Sequence, residues 1–172
     1  MRATATIYQN PLLQGCGLPP FTDIKPEQVE PAFSHLLAEL EKELARLETN
    51  IEPTWSGLVE PLEKLTEKLN WSWGILNHLM GVKNSPELRM AYEKVQPQVI
   101  QFINTLGQSK PIYNAFKTIH NSPIWESLAS AQQRIIEAAI RDAELSGVGL
   151  EGVDRERFNI IQMELAELAT RF

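Results

Sequence analysis

Apolar side chains recur at steps of three and four along most of the chain after Pro26. This spacing places them on one face of a helix, so each such stripe predicts a helix that buries that face. No segment alternates between apolar and polar residues with period two, so we expect no sheet. The fold class predicted is all-α, an antiparallel bundle or array of about six helices. The stripes occupy residues 29–47, 55–80, 88–106, 112–119, 135–140 and 158–172.

Cap and breaker residues give the predicted helix boundaries. Gly107 is expected to end the third helix, while Pro31 and Pro61 should bend the first and second helices. Side chains that can cap a helix precede the later stripes. They are Thr54, Ser85 before Pro86, Ser109, Ser130 with Gln133 at capping-box spacing, and Asp154.

The first 25 residues are rich in glycine and proline and cannot form a continuous helix or a central strand. We interpret residues 1–25 as an extended N-terminal arm and residues 26–172 as one helical domain. Four apolar side chains are predicted to hold the arm against that domain. They are Leu12, Leu13, Leu18 and Phe21.

The last apolar stripe continues to the final residue without glycine, proline or a polar tail after it. Helices in proteins usually end at a stop signal, and this one has none. We therefore expect the sequence to be cut in the middle of a helix.

Composition excludes several classes of function. Of 172 residues, 43% are hydrophobic and 22% are charged, and the formal net charge of −6 argues against a nucleic-acid partner. No run of 18 apolar residues could span a membrane, and residues 1–8 lack the apolar core of a signal peptide. We expect a cytoplasmic protein that binds neither nucleic acid nor membrane.

The residues alone indicate no active site. His35, His78 and His120 are not part of a His-Glu-x-x-His motif, and His35 with Glu39 is an ordinary solvated pair on one helix face. Cys16, the single cysteine, has no nearby base in the sequence, and the glycines at 147 and 149 fit a helix-ending loop better than a dinucleotide site. We predict no catalytic, cofactor-binding or metal-binding residue in this chain.

Blocks of residues along nearly the whole chain resemble the N-terminal region of the oligopeptidase A branch of the thimet oligopeptidase family. The blocks occur in the same order, and several are specific. They include Asn10-Pro11-Leu12-Leu13, Leu18-Pro19-Pro20-Phe21, Thr54-Trp55, Val82-Lys83-Asn84-Ser85-Pro86-Glu87-Leu88-Arg89, Ala91-Tyr92-Glu93, Gly107-Gln108, Arg141-Asp142 and Glu144-Leu145-Ser146-Gly147.

This resemblance implies a cytoplasmic zinc metallopeptidase, a hydrolase that cleaves short peptides inside a deep channel. In such proteins the zinc ligands and the water-activating glutamate lie in the second half, which is absent from these 172 residues. The resemblance therefore implies a helical N-terminal part that is inactive alone, helps to wall the channel and supports a missing catalytic domain. Such a part would expose apolar surface and self-associate.

Two other hypotheses stay open at this point. The chain could be a stand-alone, non-catalytic helical module that binds a separate partner chain. It could also be a self-sufficient peptidase, which would need zinc at a site that no motif indicates.

Overall fold

Six α-helices account for most of the computed structural model, which describes residue 7 and residues 9–171. No strand occurs in these described residues, so the all-α prediction is confirmed. Residues 1–6 and 8 of the predicted arm, and Phe172 of the last stripe, lie outside the described part. The helices are α1 (Val29–Thr49), α2 (Glu60–Val82), α3 (Pro86–Gly107), α4 (Lys110–His120), α5 (Ser130–Leu145) and α6 (Gly152–Arg171).

Shorter helical turns precede or join these helices. Three are 3-10 turns, and the fourth is a π-helical turn directly before α2. No helix within residues 9–171 combines the length and the apolar character that crossing a membrane requires. The 3-10 turns span Pro11–Leu13, Pro26–Gln28 and Pro123–Ser127, and the π-helical turn spans Trp55–Val59.

Three predicted N-caps are confirmed. The Thr54 hydroxyl accepts a hydrogen bond from the amide of Gly57 at 3.0 Å. The Ser85 hydroxyl accepts one from Leu88 at 3.2 Å. Ser109 caps α4, and its hydroxyl also donates to a carboxylate oxygen of Glu48 at 2.6 Å. Each side chain satisfies an amide that the first helical turn leaves without a partner.

Two other predicted caps are wrong. Helix α5 begins one residue earlier than the Ser130 cap requires, and Gln132 accepts a hydrogen bond from the amide of Ala129 at 3.0 Å. Gln133 instead donates to the carbonyl of Trp125 at 2.9 Å. Helix α6 begins at Gly152, so Asp154 lies inside its first turn, where a negative charge favours the helix dipole.

The structural effect of each proline depends on where it lies in its helix. Pro31 lies in the first turn of α1, where its missing amide hydrogen would have no partner in any case. Pro61 follows the π-helical turn, in which the Glu60 amide donates to the carbonyl of Trp55. Pro61 has no backbone N–H, and the wider π-helical turn before it accommodates this missing hydrogen-bond donor. Pro97 lies inside α3, where it removes one backbone hydrogen-bond donor from the helix.

The structure divides into two units, and the unit boundaries fall inside α1, α2 and α3. The first unit contains the described residues up to Glu43 together with Lys64–Val99. Its centre is an aromatic stack in which Trp73 lies parallel to Tyr92 at 4.8 Å between ring centroids. Phe33 meets the Trp73 ring edge-on at 5.6 Å. Since these rings come from three helices, the stack joins α1, α2 and α3 within this unit.

Part of the predicted arm is fixed to the first unit. Leu12 is fully buried, and its carbonyl accepts a hydrogen bond from the buried Ser72 hydroxyl at 2.6 Å. Asn10 caps this turn and donates from its side-chain amide to the carbonyl of Gln28 at 2.8 Å. Leu18, however, is 92% exposed, so its predicted anchoring role is wrong. Phe21 is exposed too, with one face against His78.

The second unit contains Leu44–Glu63 and the described residues from Ile100 onward. Its core contains the apolar face predicted for α4 and part of the apolar face predicted for α5. On α5, Ile136 is fully buried while Ile135 is exposed. The buried apolar residues of this unit are Leu44, Leu58, Val59, Phe102, Ile112, Ala115, Phe116, Ile119, Ile136 and Val148.

Candidate functional site

The residues considered for catalysis do not come together. In residues 9–171 no group of three or more His, Cys, Asp or Glu side chains is arranged to hold a metal ion. His35 Nε2 lies 3.3 Å from Glu39 Oε1, and both side chains reach solvent. His120 packs against the ring of Trp125 at 4.4 Å between centroids. Cys16 is exposed in a loop.

The distinctive surface of the second unit lies on α6. Ile161, Leu165 and Leu168 are 44%, 55% and 52% exposed. At the helical rotation per residue these three side chains share an arc of about 60°. We call them the α6 apolar face. The sequence predicted this stripe to be buried, and that prediction is wrong for all three residues.

The less exposed side of α6 mixes polar and apolar side chains. Its half-buried residues are Arg155, Phe158, Asn159, Gln162, Met163, Ala166 and Thr170. A helix normally turns its apolar stripe towards the core and its polar residues towards water. Helix α6 leaves part of its apolar stripe in water, and two polar side chains of its less exposed side, Arg155 and Asn159, make specific hydrogen bonds.

A part-buried hydrogen-bond network supplies these contacts. Gln108 is 3% exposed, and both the nitrogen and the oxygen of its side-chain amide form hydrogen bonds. Its Nε2 donates to the carbonyl of Ser146 at 3.0 Å and to Asn159 Oδ1 at 2.8 Å. Its Oε1 accepts from Arg155 Nε at 2.8 Å. We call Gln108, Ser146, Arg155 and Asn159 the Gln108 clasp.

Two glycines allow the clasp to close. A Cβ on Gly107 would lie 2.9 Å from the Cβ of Ser146, which is closer than real side chains approach. Gly147 has a φ of +80°, and a Cβ there would lie 2.8 Å from Leu150 Cδ1. Only glycine adopts that φ without strain, so the turn that presents the Ser146 carbonyl depends on it.

Charged and polar contacts also connect α4 to the end of α5 and to the residue directly before α6. Lys110 forms an ion pair with Glu151, and the hydrogen bond and positive charge of Lys110 lower the pKa of the Glu151 carboxyl. The Tyr113 hydroxyl donates to Glu144 Oε1 at 2.8 Å. These pairs are solvent-exposed, so we expect each to contribute little stability.

The described residues thus form an all-α structure. The Gln108 clasp holds α6, and the α6 apolar face is exposed to solvent. The sequence model for "Neurolysin/Thimet oligopeptidase, N-terminal domain" matches residues 33–155. That match covers most of the chain. The chain therefore belongs to the neurolysin/thimet oligopeptidase family, within its N-terminal domain.

Similar proteins carry the name oligopeptidase A. The chain is 51% identical to the probable cytosolic oligopeptidase A of Arabidopsis thaliana over 172 residues, which is 100% of this chain and 24% of that protein. It is also 51% identical to the organellar oligopeptidase A, chloroplastic/mitochondrial, of the same plant, over 97% of the chain and 21% of the relative. The chain is 35% identical to oligopeptidase A of Escherichia coli, over 95% of the chain and 24% of that relative. The chain thus spans about a quarter of the length of these relatives.

Proposed function

We propose that this chain is the N-terminal, non-catalytic helical part of a zinc-dependent oligopeptidase that hydrolyses short peptides. The observation that carries the proposal is 51% identity along the entire chain to a protein named as a cytosolic oligopeptidase A. In this proposal residues 26–172 help to wall the substrate channel and support the catalytic domain, and the protein acts in the cytoplasm.

The described residues do not fit a zinc site of their own, because no three ligand-type side chains among them converge. Zinc sites in peptidases need three protein ligands and one open position. The proposal therefore assigns no catalytic residue to this chain, and no step of hydrolysis is derived from it.

The size and activity of the natural product test this proposal. An antibody raised against the 172-residue chain should detect a product several times heavier than 19.5 kDa in lysate of the source cell. The immunopurified product should cleave short peptides, lose that activity to a chelator and regain it with zinc. The recombinant 172-residue chain is the control and should show no cleavage.

Other results would contradict it. A natural product near 19.5 kDa would favour a stand-alone module that binds a separate partner chain. A heavy product without chelator-sensitive cleavage would remove the peptidase assignment. Cleavage by the isolated 172-residue chain would show that it contains an active site.

A further inference from the structure

We propose that residues 15–23 form a strap on α2 that opens and closes, with both of its ends fixed and one ring contact, Phe21 on His78, as its latch. This inference concerns the first unit and does not rest on the proposed function. The closed state is the observed structure. In the open state the Phe21 ring leaves the His78 imidazole, while the rest of the unit stays folded.

Both ends of the strap are attached to the first unit. Before it, Leu12 is fully buried, and its carbonyl accepts a hydrogen bond from the buried Ser72 hydroxyl at 2.6 Å. After it, Ile24 is 8% exposed, and the amide of Lys25 donates to Gln28 Oε1 at 2.7 Å. Detaching either end would expose apolar surface or leave a buried polar group without its partner, so we expect opening to stop at these points.

Between its ends the strap has few contacts with the rest of the unit. None of residues 15–23 is buried. Within the described part of the chain, their hydrogen bonds stay inside the strap: the amides of Phe21 and Asp23 each donate at 2.9 Å, to the carbonyls of Pro19 and Pro20 respectively. The Thr22 hydroxyl donates to the side chain of Asp23. Opening the strap therefore breaks no hydrogen bond to the body of the unit.

The latch is the contact between two rings at the surface. The centroids of Phe21 and His78 lie 5.0 Å apart, and the ring planes are inclined by 46°. Phe21 is still 37% exposed, so water reaches the ring in the closed state. An aromatic pair shifts an equilibrium by a factor of only about two to ten. A strap held by one such pair has a measurable open population.

Two glycines let the backbone of the strap change direction. Gly15 and Gly17 have φ angles of +73° and +79° in the closed state. A Cβ on either glycine would meet nothing closer than 3.7 Å, so packing does not require a missing side chain there. Glycine adopts negative and positive φ about equally readily, so both positions can leave the closed conformation without a steric penalty.

A spin label on Cys16 tests the strap directly. Cys16 is the single cysteine of the chain, is exposed and lies within the strap. The electron paramagnetic resonance spectrum of the labelled 172-residue chain should contain an immobilised and a mobile component. Phe21→Ala should raise the ratio of mobile to immobilised label about two- to tenfold. A single component in the unaltered chain, or an unchanged ratio in Phe21→Ala, would overturn the proposal.

Two further substitutions test whether the ring pair is the latch. Leu18→Ala is the matched control, because Leu18 lies in the same strap and is 92% exposed, and it should leave the ratio unchanged. His78→Ala should act like Phe21→Ala, and the double variant should add nothing to either, since each single change already removes the pair. A ratio raised equally by Leu18→Ala, or effects of Phe21 and His78 that multiply in the double variant, would show that the pair is not the latch.

Hydrogen exchange separates opening of the strap from loss of the whole arm. The amide of Leu13 lies before the strap and donates to the carbonyl of Asn10 at 2.9 Å. In Phe21→Ala the exchange rate of this amide should stay as it is in the unaltered chain, because the fixed end does not open with the strap. Acceleration of Leu13 exchange by the same factor as the gain in label mobility would show that the arm detaches as one piece, and the proposal would fall.

Discussion

At the scale of single residues, the buried amide of Gln108 has the most consequential contacts in the second unit. It donates twice and accepts once, and each partner belongs to the turn before α6 or to α6 itself. Because an amide offers donors and acceptors at fixed positions, its two contacts with α6 favour the observed rotation of that helix. A residue in the turn after α3 therefore helps to set which face α6 presents to solvent.

Replacing Gln108 with methionine should lower the free energy of unfolding of the 172-residue chain by about 1–3 kcal/mol. Methionine has a similar length but leaves the Arg155 and Asn159 side chains without their partner. Urea unfolding measures the loss, and Gln101→Met is the control, since Gln101 is exposed on α3, the helix that ends directly before Gln108. Equal midpoints for the two variants would contradict the importance of the clasp.

The turn at Gly147 gives a second residue-scale prediction. Gly147→Ala should cost about 1–3 kcal/mol, because alanine disfavours a φ of +80° and its Cβ would press on Leu150. Gly149→Ala is the matched control, because a Cβ there meets nothing within 4 Å. Thermal unfolding of both variants should show a clear loss for the first and little change for the second.

The ion pair of Lys110 with Glu151 predicts a titration effect. Lys110 lowers the pKa of Glu151, so the carboxylate contributes stability above its ordinary pKa, and that contribution is lost as the pH falls through the lowered value. Lys110→Met should raise the pKa of Glu151 in an NMR titration. Lys117→Met, on the same helix, should leave it unchanged, and a pKa insensitive to Lys110 would disprove the pairing.

At the scale of elements, the arm and α6 show how hydrogen bonds place segments that apolar pattern alone does not. The arm residues around Leu12 are fixed because one carbonyl meets the buried hydroxyl of Ser72. Leu18, a few residues later, is exposed although it is equally apolar. Burial of the described arm is therefore discontinuous: Asn10, Leu12 and Ile24 are buried, while Leu18 between them is exposed.

Ser72→Ala tests the attachment of the arm. The variant leaves the buried carbonyl of Leu12 without its donor, and we expect a loss of about 1–3 kcal/mol in the free energy of unfolding. Proteolysis within residues 14–23 should become faster for the same reason. Ser34→Ala, at an exposed position on α1, is the control. Unchanged cleavage in Ser72→Ala would mean that Leu12 packing alone holds the arm.

At the scale of the whole molecule, an exposed apolar helix face on a chain with a net charge of −6 sets two opposing tendencies. Charge repulsion favours separate copies, while apolar contact favours association. The chain corresponds to about a quarter of the length of the probable cytosolic oligopeptidase A of Arabidopsis thaliana.

Sedimentation velocity of the 172-residue chain checks this balance. We expect concentration-dependent self-association that sodium sulfate strengthens, because sulfate favours burial of apolar surface. A variant of the α6 apolar face with Ile161→Gln, Leu165→Gln and Leu168→Gln should remain monomeric under the same conditions. Association that persists in that variant would assign it to another surface, such as exposed Leu18 or Val82.

The sequence by itself determined the class of fold and most helix boundaries. Helical periodicity and capping depend on residues within a few positions of one another, so Thr54, Ser85 and Ser109 identified helix starts correctly. The Gly107-Gln108 block also marked the resemblance to the family, although nothing local indicated what Gln108 binds.

Only the tertiary structure decided which face of α6 is buried. Apolar side chains lie on both sides of α6, exposed at Ile161 and Leu165 and half-buried at Phe158 and Met163, so the pattern within α6 fits either rotation. The choice depends on Gln108, which lies 47 residues before Arg155 and 51 before Asn159. A buried amide must find partners with the correct geometry, and this requirement acts between distant parts of the chain, which the local pattern of apolar residues does not describe.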